Sequence, residues 1–140
     1  MTAAGTPDGP ATTPDRRELG IAAYAKIFGT SERELPAAFA ARVGPVFAEE
    51  ALHAAGGAAW AHPALTGRDR SIAIITALTA LGVAGDRLRS HLALAARHGL
   101  DEDALTALMT LLAVYLGYAR ASVAMESVPA TIAASHQDSA

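Results

Sequence analysis

The sequence predicts an all-α protein, a single-domain bundle of about six helices, and three observations support this prediction. Hydrophobic residues make up 51% of the 140-residue chain and aromatic residues only 5%, so alanine, leucine, isoleucine and valine must form most of the core. Alanine has the highest helix propensity of all amino acids. Capping residues and glycines recur between the apolar segments, and no segment shows the pattern of a β-strand.

Start and stop signals delimit the helices in the first half of the chain. A first helix is expected from near Asp15 to Phe28, with Asp15 as a possible N-cap and Gly29 just past the end. A second helix is expected to run to about Ala54, with a possible break at Gly44, where a proline follows.

Similar signals delimit the helices in the second half. Thr66 and Asp69 have the spacing of a capping box, and the helix that follows should end at Gly82. This helix is apolar almost all round and is therefore expected to be central in the fold. A further helix follows, and Asp101 caps a last long helix that is expected to reach about Val128.

Composition also bounds the domain organisation and the possible partners. Residues 1–14 are rich in Thr, Pro, Gly and Ala and are predicted to be a disordered tail, residues 15–132 form the helical domain, and residues 133–140 form a C-terminal tail. Without a signal peptide or an apolar segment long enough to span a membrane, a cytoplasmic protein is expected. The net charge of −3 offers no basic surface for nucleic acid. The absence of cysteine excludes disulfides and thiolate chemistry.

The first group of candidate functional residues is Arg87, His91 and His98, whose spacing places them on one helix face. A nearby positive charge disfavours the imidazolium form, so His91 would be a neutral imidazole that can act as a general base. Alternatively, His91 is a hydrogen-bonded histidine of the core and Arg87 is solvated. Without a His-Glu-x-x-His motif or a cysteine, no metal site is expected.

Other candidates lie around the predicted capping box and near the last helix. His53 and His62 flank Trp60, which is either a pocket wall or a core residue. Arg70 could bind an anion at the start of a helix, or it could form an ion pair on the surface. Tyr115 lies on a largely apolar helix, and a buried tyrosine needs a partner for its hydroxyl group.

Several short motifs occur in an order and spacing that resemble the carboxymuconolactone decarboxylase family. They are Gly56-Gly57-Ala-Ala-Trp60, His62-Pro63-Ala-Leu65, Arg68-x-Arg70-Ser71, Leu88-x-x-His91, Gly99 and Ala113-Val114-Tyr115-x-Gly117. The resemblance extends from about Arg16 to Val128. It implies an all-α, AhpD-like fold and a homo-oligomer, commonly a trimer or hexamer. The peroxidase branch of the family uses a Cys-x-x-Cys pair, which this chain lacks, so no thiol peroxidase activity is expected.

The decarboxylase branch of the family acts without metal or organic cofactor, and this chain departs from its pattern at several positions, among them Arg97-His98 and Ala119. His62 and Arg87 stand where that branch has an arginine and a glutamate, so a changed substrate is expected. We therefore expect a cofactor-free lyase-type enzyme, a dehydratase, cyclase or decarboxylase, that acts on a small cyclic or aromatic polyketide-like compound in secondary metabolism. The expected catalytic residues are His91, His62 and Arg87, and the expected substrate-binding residues are Trp60, Arg70, Tyr115, His98 and His53.

Two alternative functions remain open from the sequence. The first is 4-carboxymuconolactone decarboxylase itself, which would be favoured if a carboxylate such as Glu49 or Glu50 reaches the pocket. The second is a non-catalytic, ligand-binding or scaffolding oligomer, which predicts that His91 and His62 do not converge and that no enclosed pocket exists.

Overall fold

The computed structural model describes residues 15–56 and 58–137, and within these ranges the chain forms nine helices and no strand. The all-α prediction is therefore confirmed for the described residues. The predicted N-terminal tail, residues 1–14, lies outside them. The helices are α1 (Arg16–Phe28), α2 (Leu35–Val43), α3 (Pro45–Ala55), α4 (Ala58–Ala61), α5 (Gly67–Leu81), α6 (Asp86–Arg97), α7 (Glu102–Leu116), α8 (Tyr118–Met125) and α9 (Val128–Gln137). None of the described helices has the length and apolar character needed to span a membrane.

The predicted helix caps are present at several helix ends. Asp15 accepts a hydrogen bond from the backbone of α1, and Gly29 ends that helix in the left-handed conformation. Thr66 and Asp69 form a reciprocal capping box at the start of α5, and left-handed Gly82 ends α5. These caps pair backbone groups that would otherwise lack intrahelical partners, so local sequence determines these helix boundaries.

The prediction of one long C-terminal helix to Val128 is wrong, and a glycine explains the difference. Gly117 has φ of 89° and ψ of 149°, a conformation that L-residues avoid, and it separates α7 from α8. Pro129, expected to follow the end of a helix, instead lies in the first turn of α9, where its missing N–H costs no hydrogen bond. Helix α9 continues to Gln137, so residues 133–137 of the predicted tail are helical.

Two separate groups of buried side chains divide the fold into an N-terminal layer and a C-terminal bundle. The N-terminal layer comprises α1, α2 and α3 and buries Leu35, Phe39 and Leu52. The C-terminal bundle comprises α5 to α9 and is centred on completely buried leucines such as Leu88 and Leu92. At one point the two parts are joined by a hydrogen bond of 2.6 Å, which the Arg97 guanidinium donates to a backbone carbonyl of α1.

Helices α1 and α3 approach so closely that two glycines are required at the contact. A Cβ atom on Gly20 would lie 1.9 Å from the carbonyl oxygen of Leu52, and one on Gly56 would lie 1.5 Å from the carbonyl oxygen of Arg16. Both distances are far below van der Waals contact, and the obstructing atoms belong to the backbone. The N-terminal layer therefore depends on the absence of a side chain at these positions.

Helix α5 is less buried in the isolated chain than its apolar sequence predicts. Its buried face consists of Ser71, Ile75 and Thr79, at intervals of four residues. The opposite face is exposed, and Leu81 at its end retains 74% of its accessible surface. The prediction that α5 is central in the fold therefore does not hold for the single chain.

We predict that Gly20→Ala destabilises the protein, although alanine in place of glycine normally stabilises a helix by about 0.5–1 kcal/mol. The new Cβ atom must displace the backbone of α3, and such overpacking costs about 1–3 kcal/mol. Urea unfolding followed by circular dichroism should show a lower free energy of unfolding. Glu18→Ala, at an exposed position of the same helix, is the control and should change it by less than about 0.5 kcal/mol. An increase in stability for Gly20→Ala would contradict this helix contact.

Candidate active site

A cleft of about 580 Å³ lies along the seam between the N-terminal layer and the C-terminal bundle. Helices α1, α2 and α3 form one wall, and α5 and α6 form the other. Among the described residues, the polar side chains that line it belong to two arginines, one histidine, one tyrosine and one serine, and none belongs to an aspartate or glutamate. The cleft therefore has a positive charge that suits an anionic ligand.

His91 lies on the α6 wall of this cleft and has no hydrogen bond to another described residue. Its Nδ1 atom is shut off from solvent and has no partner, so Nε2 is the ring nitrogen that can reach a ligand. A buried polar atom without a partner costs about 1–3 kcal/mol, and such atoms are few in folded proteins. No protein group fixes the position of the ring hydrogen, so Nε2 can either accept or donate a hydrogen bond.

Arg87 lies one turn before His91 and lines the same cleft. Burial lowers the pKa of His91, and the positive charge of Arg87 lowers it further. Both effects disfavour the imidazolium ion, so His91 is neutral at neutral pH and can take up a proton. The predicted pairing of His91 with Arg87 is thus present in the structure.

Tyr24 of α1 is the other titratable group of the cleft whose pKa is shifted. Burial raises the pKa of its hydroxyl group above the usual value of 10.0, and the charge of Arg87 opposes part of that rise. The phenol is therefore protonated at neutral pH and can donate a hydrogen bond or a proton. The cleft thus combines a protonated phenol on α1 with a neutral imidazole on α6.

Aromatic side chains are concentrated in this cleft. The chain has three phenylalanines, and all of them, Phe28, Phe39 and Phe47, line it. The ring centroids of Tyr24 and Phe39 lie 4.7 Å apart, and Phe28 lies 5.7 Å from Tyr24 and 5.5 Å from Phe39. In a chain so poor in aromatic residues, this cluster gives the cleft a surface suited to a flat, cyclic ligand.

The structure places Arg70, His62 and Trp60 outside the cleft. The Arg70 guanidinium donates hydrogen bonds to the carbonyls of Ala59, His62 and Leu65, at 2.9, 2.6 and 2.6 Å. It thereby fastens the segment between α4 and α5. The Nδ1 atom of exposed His62 accepts a hydrogen bond from the Ala64 backbone, and Trp60 is partly buried on α4. The predicted convergence of these residues on His91 is therefore absent.

His98 and Tyr115 are also separate from His91. The Nδ1 atom of His98 lies 2.9 Å from Oγ of Ser71, a residue that is 2% exposed, so this pair joins the end of α6 to the start of α5. Burial lowers the pKa of His98, and a hydrogen bond with the Gly67 backbone partly offsets that effect. Tyr115 is 79% exposed on the outer face of α7, so its hydroxyl needs no partner within the chain.

His53 takes part in an ion-pair network on the surface of α1 and α3. Glu49 pairs with Arg17, and its carboxylate lies 3.4 Å from the Nε2 atom of His53. The hydrogen bond from Arg17 lowers the pKa of Glu49. This carboxylate is engaged outside the cleft, and the neighbouring Glu50 is exposed.

The cleft residues that sequence reasoning missed belong mainly to the first 44 residues. Tyr24, Phe28, Phe39 and Arg42 carry no motif, and helical spacing alone does not distinguish them from core residues. One signal was available, because all three phenylalanines and one tyrosine fall within residues 24–47 of a chain with few aromatic residues.

Two other grooves lack such a combination of groups. The larger, of about 850 Å³, lies beside α6 and α9 and includes the acidic first turn of α7 together with arginines of α6. The other lies between α7 and α8 and is almost entirely apolar. Among the described residues, no three His, Asp or Glu side chains are grouped as metal ligands.

The sequence signature of the carboxymuconolactone decarboxylase family matches residues 45–128, more than half of the chain. The protein belongs to this family, as its motifs predicted. The matched residues include the α6 wall with Arg87 and His91, but not α1 and α2, which the predicted resemblance had included. No curated protein and no solved structure matches the chain.

We predict that the free energy of unfolding falls as the pH is lowered from about 7.5 to 5.5, because of His91 and His98. The folded-state pKa of each lies below the ordinary histidine value of 6.5. The unfolded chain therefore binds protons in this range before the folded chain does. The contribution of these histidines to the free energy of unfolding is greatest above pH 6.5. It decreases as the pH falls, by at most about 1.4 kcal/mol per pH unit for each histidine.

Urea unfolding at several pH values would measure this dependence. His91→Asn and His98→Asn should each reduce the slope, whereas His136→Asn, at an exposed position of α9, should leave it unchanged. Glu49 and Asp69 have lowered pKa values, so they take up protons only below about pH 4.5. They therefore do not change the free energy of unfolding between pH 7.5 and 5.5. Equal slopes in all four proteins would contradict the burial of neutral histidines.

Proposed function

We propose that the protein is a cofactor-independent acid/base enzyme of lyase type, a dehydratase, cyclase or decarboxylase, acting on a small, flat, anionic ring compound. The proposal rests on one observation. A single cleft is lined by a neutral histidine, two arginines and all three phenylalanines of the chain, and by no carboxylate of the described residues. An aromatic polyketide-like compound has the required shape and acidity. Its flat rings match the aromatic wall, and its phenolate or enolate oxygens match the guanidinium groups.

In the proposed reaction, Nε2 of His91 takes a proton from the carbon next to a carbonyl group. The electrons of that C–H bond move to the carbonyl oxygen, and the Arg87 guanidinium stabilises the resulting enolate. In a dehydration, the enolate re-forms the carbonyl and expels a β-hydroxyl group, which takes its proton from Tyr24. In a decarboxylation, no C–H proton is removed; the bond to the carboxylate carbon breaks, carbon dioxide leaves, and the electrons of that bond form the enolate that Arg87 stabilises. The enolate carbon then receives a proton from Tyr24.

This assignment revises the roles expected from the sequence. His91 keeps its role as the general base, and Arg87 keeps its role in binding the anion. Tyr24 takes the place of His62 as the acid, because Tyr24 lines the cleft and His62 does not.

The ordinary lactone decarboxylase is less well supported. That alternative was to be favoured by a carboxylate from the second predicted helix in the pocket, and neither Glu49 nor Glu50 lines the cleft. A second candidate, a ligand-binding protein without catalysis, is favoured by one observation. No acceptor orients the Nδ1 atom of His91, whereas a catalytic histidine usually has such a partner.

We predict that the protein catalyses hydrogen–deuterium exchange next to the ketone of 6-carboxy-1-tetralone, a flat and enolisable anion. His91→Asn should reduce the exchange rate at least about 100-fold, because it removes the group that takes the proton from carbon. Tyr24→Phe should change the rate much less, because this ketone has no β-hydroxyl group for Tyr24 to protonate. The rate should rise with pH through the lowered pKa of His91 and be level by neutral pH. NMR spectroscopy in D₂O measures exchange at the carbon next to the ketone.

His136→Asn serves as the matched control, since this histidine lies on α9, outside the cleft. Saturable binding of the ketone without exchange above the buffer rate would support the non-catalytic candidate. Exchange that persists in His91→Asn would refute the role of His91. Absence of both binding and exchange would refute the proposed substrate class.

We further propose that the protein forms a homo-oligomer through the outer face of α7 and the start of α8. Leu111, Val114 and Tyr115 are 55–79% exposed, and their spacing of three and four residues aligns them on one face of α7. Tyr118, the first residue of α8, is 73% exposed. Leu81, at the end of α5, is a further exposed apolar side chain. Apolar surface of this kind on a small helical protein is typical of a subunit interface.

We predict that Tyr115→Glu shifts the protein to a lower oligomeric state without unfolding it, because a buried, unpaired carboxylate opposes association. Size-exclusion chromatography with light scattering gives the mass. Thr106→Glu, at an exposed position of the same helix, provides a control for the added charge and should leave the mass unchanged. A wild-type protein that is monomeric at all concentrations would refute the proposed interface.

A further inference from the structure

Arg42 places a second guanidinium group at the mouth of the His91 cleft. It lies in the last turn of α2, and its Cζ atom is 5.1 Å from the centroid of the Phe28 ring. No ion pair joins it to a described residue. Stacking on an aromatic face orients the planar guanidinium and leaves its N–H groups free to donate hydrogen bonds at the edge.

The position of Arg42 differs from that of Arg87. The side chain of Arg42 is exposed, and its neighbours Val43 and Phe47 are also exposed, at 36% and 65%. His91 lies deeper, with one ring nitrogen sealed from solvent. Arg87 is exposed as well, but it lies on the α6 wall one turn before His91, and its charge acts on the pKa values of both His91 and Tyr24. Arg42 lies on the α2 wall, over the Phe28 ring, so the two guanidinium groups belong to different walls of the cleft.

The surroundings of Arg42 favour an anionic ligand group over an internal partner. No carboxylate in the part of the chain that the structure describes lines the cleft, so a ligand can supply the negative charge that pairs with Arg42. A carboxylate or phenolate beside Arg42 would accept hydrogen bonds from the guanidinium edge while its ring rests against the exposed Phe47 side chain. Charge-assisted hydrogen bonds to a planar guanidinium fix both the distance and the orientation of such a group.

We infer that Arg42 forms a subsite for a second anionic group of the ligand, so that the preferred ligand is a flat ring system with an anionic group at each end. This inference rests on the proposed function, in which Arg87 holds the enolate oxygen. Arg42, Phe28 and Phe39 precede the residues that match the family signature. Selection of the ligand thus depends on α1 and α2, whereas the general base of the proposed reaction lies on α6.

The test compares binding of 2-naphthoate, with one carboxylate, and 2,6-naphthalenedicarboxylate, with one at each end. Fluorescence of the naphthalene ring reports binding of both. The wild-type protein should bind the dicarboxylate about tenfold more tightly or better, since one more charge-assisted contact is made. Arg42→Met should abolish this preference and leave the affinity for 2-naphthoate unchanged, whereas Arg87→Met should weaken binding of both.

Arg33→Met is the matched control, because Arg33 is exposed in the turn before α2 and lies outside the cleft. Arg42→Lys keeps the charge but loses the planar group, and should retain only part of the preference. Circular dichroism spectra that match the wild type show that each variant is folded.

The remaining outcomes distinguish the Arg42 subsite from the proposed function. Loss of 2-naphthoate binding in Arg42→Met would mean that both arginines hold one anion, and would overturn the second subsite. Equal affinities in the wild type, with Arg87→Met still weakening both, would overturn the role of Arg42 and leave the proposed function intact. If neither naphthalene compound binds the wild-type protein, both the Arg42 subsite and the proposed substrate class are wrong.

Discussion

The contact between the backbones of α1 and α3 is the constraint on which the rest of the structure depends. Gly20 and Gly56 lack the Cβ atoms that would collide with carbonyl groups of the opposite helix. This close approach holds α1 against α3 while α2 packs beside them, and it sets the direction in which the aromatic side chains of α1 and α2 project. If the two helices were farther apart, Tyr24 and Phe28 would not meet Phe39 at the observed distances.

The candidate site exists because the chain builds two cores and leaves a seam between them. The N-terminal layer and the C-terminal bundle each bury their own apolar side chains, and the cleft forms where the two parts meet. A histidine at such a seam is removed from water without being enclosed by hydrogen-bonding partners. Partial burial and the charge of Arg87 both lower the pKa of His91, so the same geometry that shapes the cleft also keeps its base neutral.

The two walls of the cleft have different relations to the family. The α6 wall lies within residues 45–128, which match the family signature, whereas most of the aromatic wall comes from the preceding helices. The family signature therefore covers the wall that carries Arg87 and His91, while a segment outside it sets much of the shape and charge of the cleft. The polar residues that pair elsewhere, such as Arg70 and His98, hold the connections that support this scaffold.

The sequence by itself determined the helical class, most helix boundaries, the family and the pairing of Arg87 with His91. These features are local, because capping, glycine conformation and spacing along one helix act over a few residues. The break at Gly117 was missed because a glycine inside an apolar segment can either continue a helix or end it, and only its φ angle distinguishes the two. Tertiary structure alone decided that His62, Arg70 and Tyr115 lie away from His91, and that Tyr24, Arg42 and the phenylalanines lie beside it. Such distances depend on how helices far apart in the sequence cross one another, and here that crossing is set by backbone contact at two glycines.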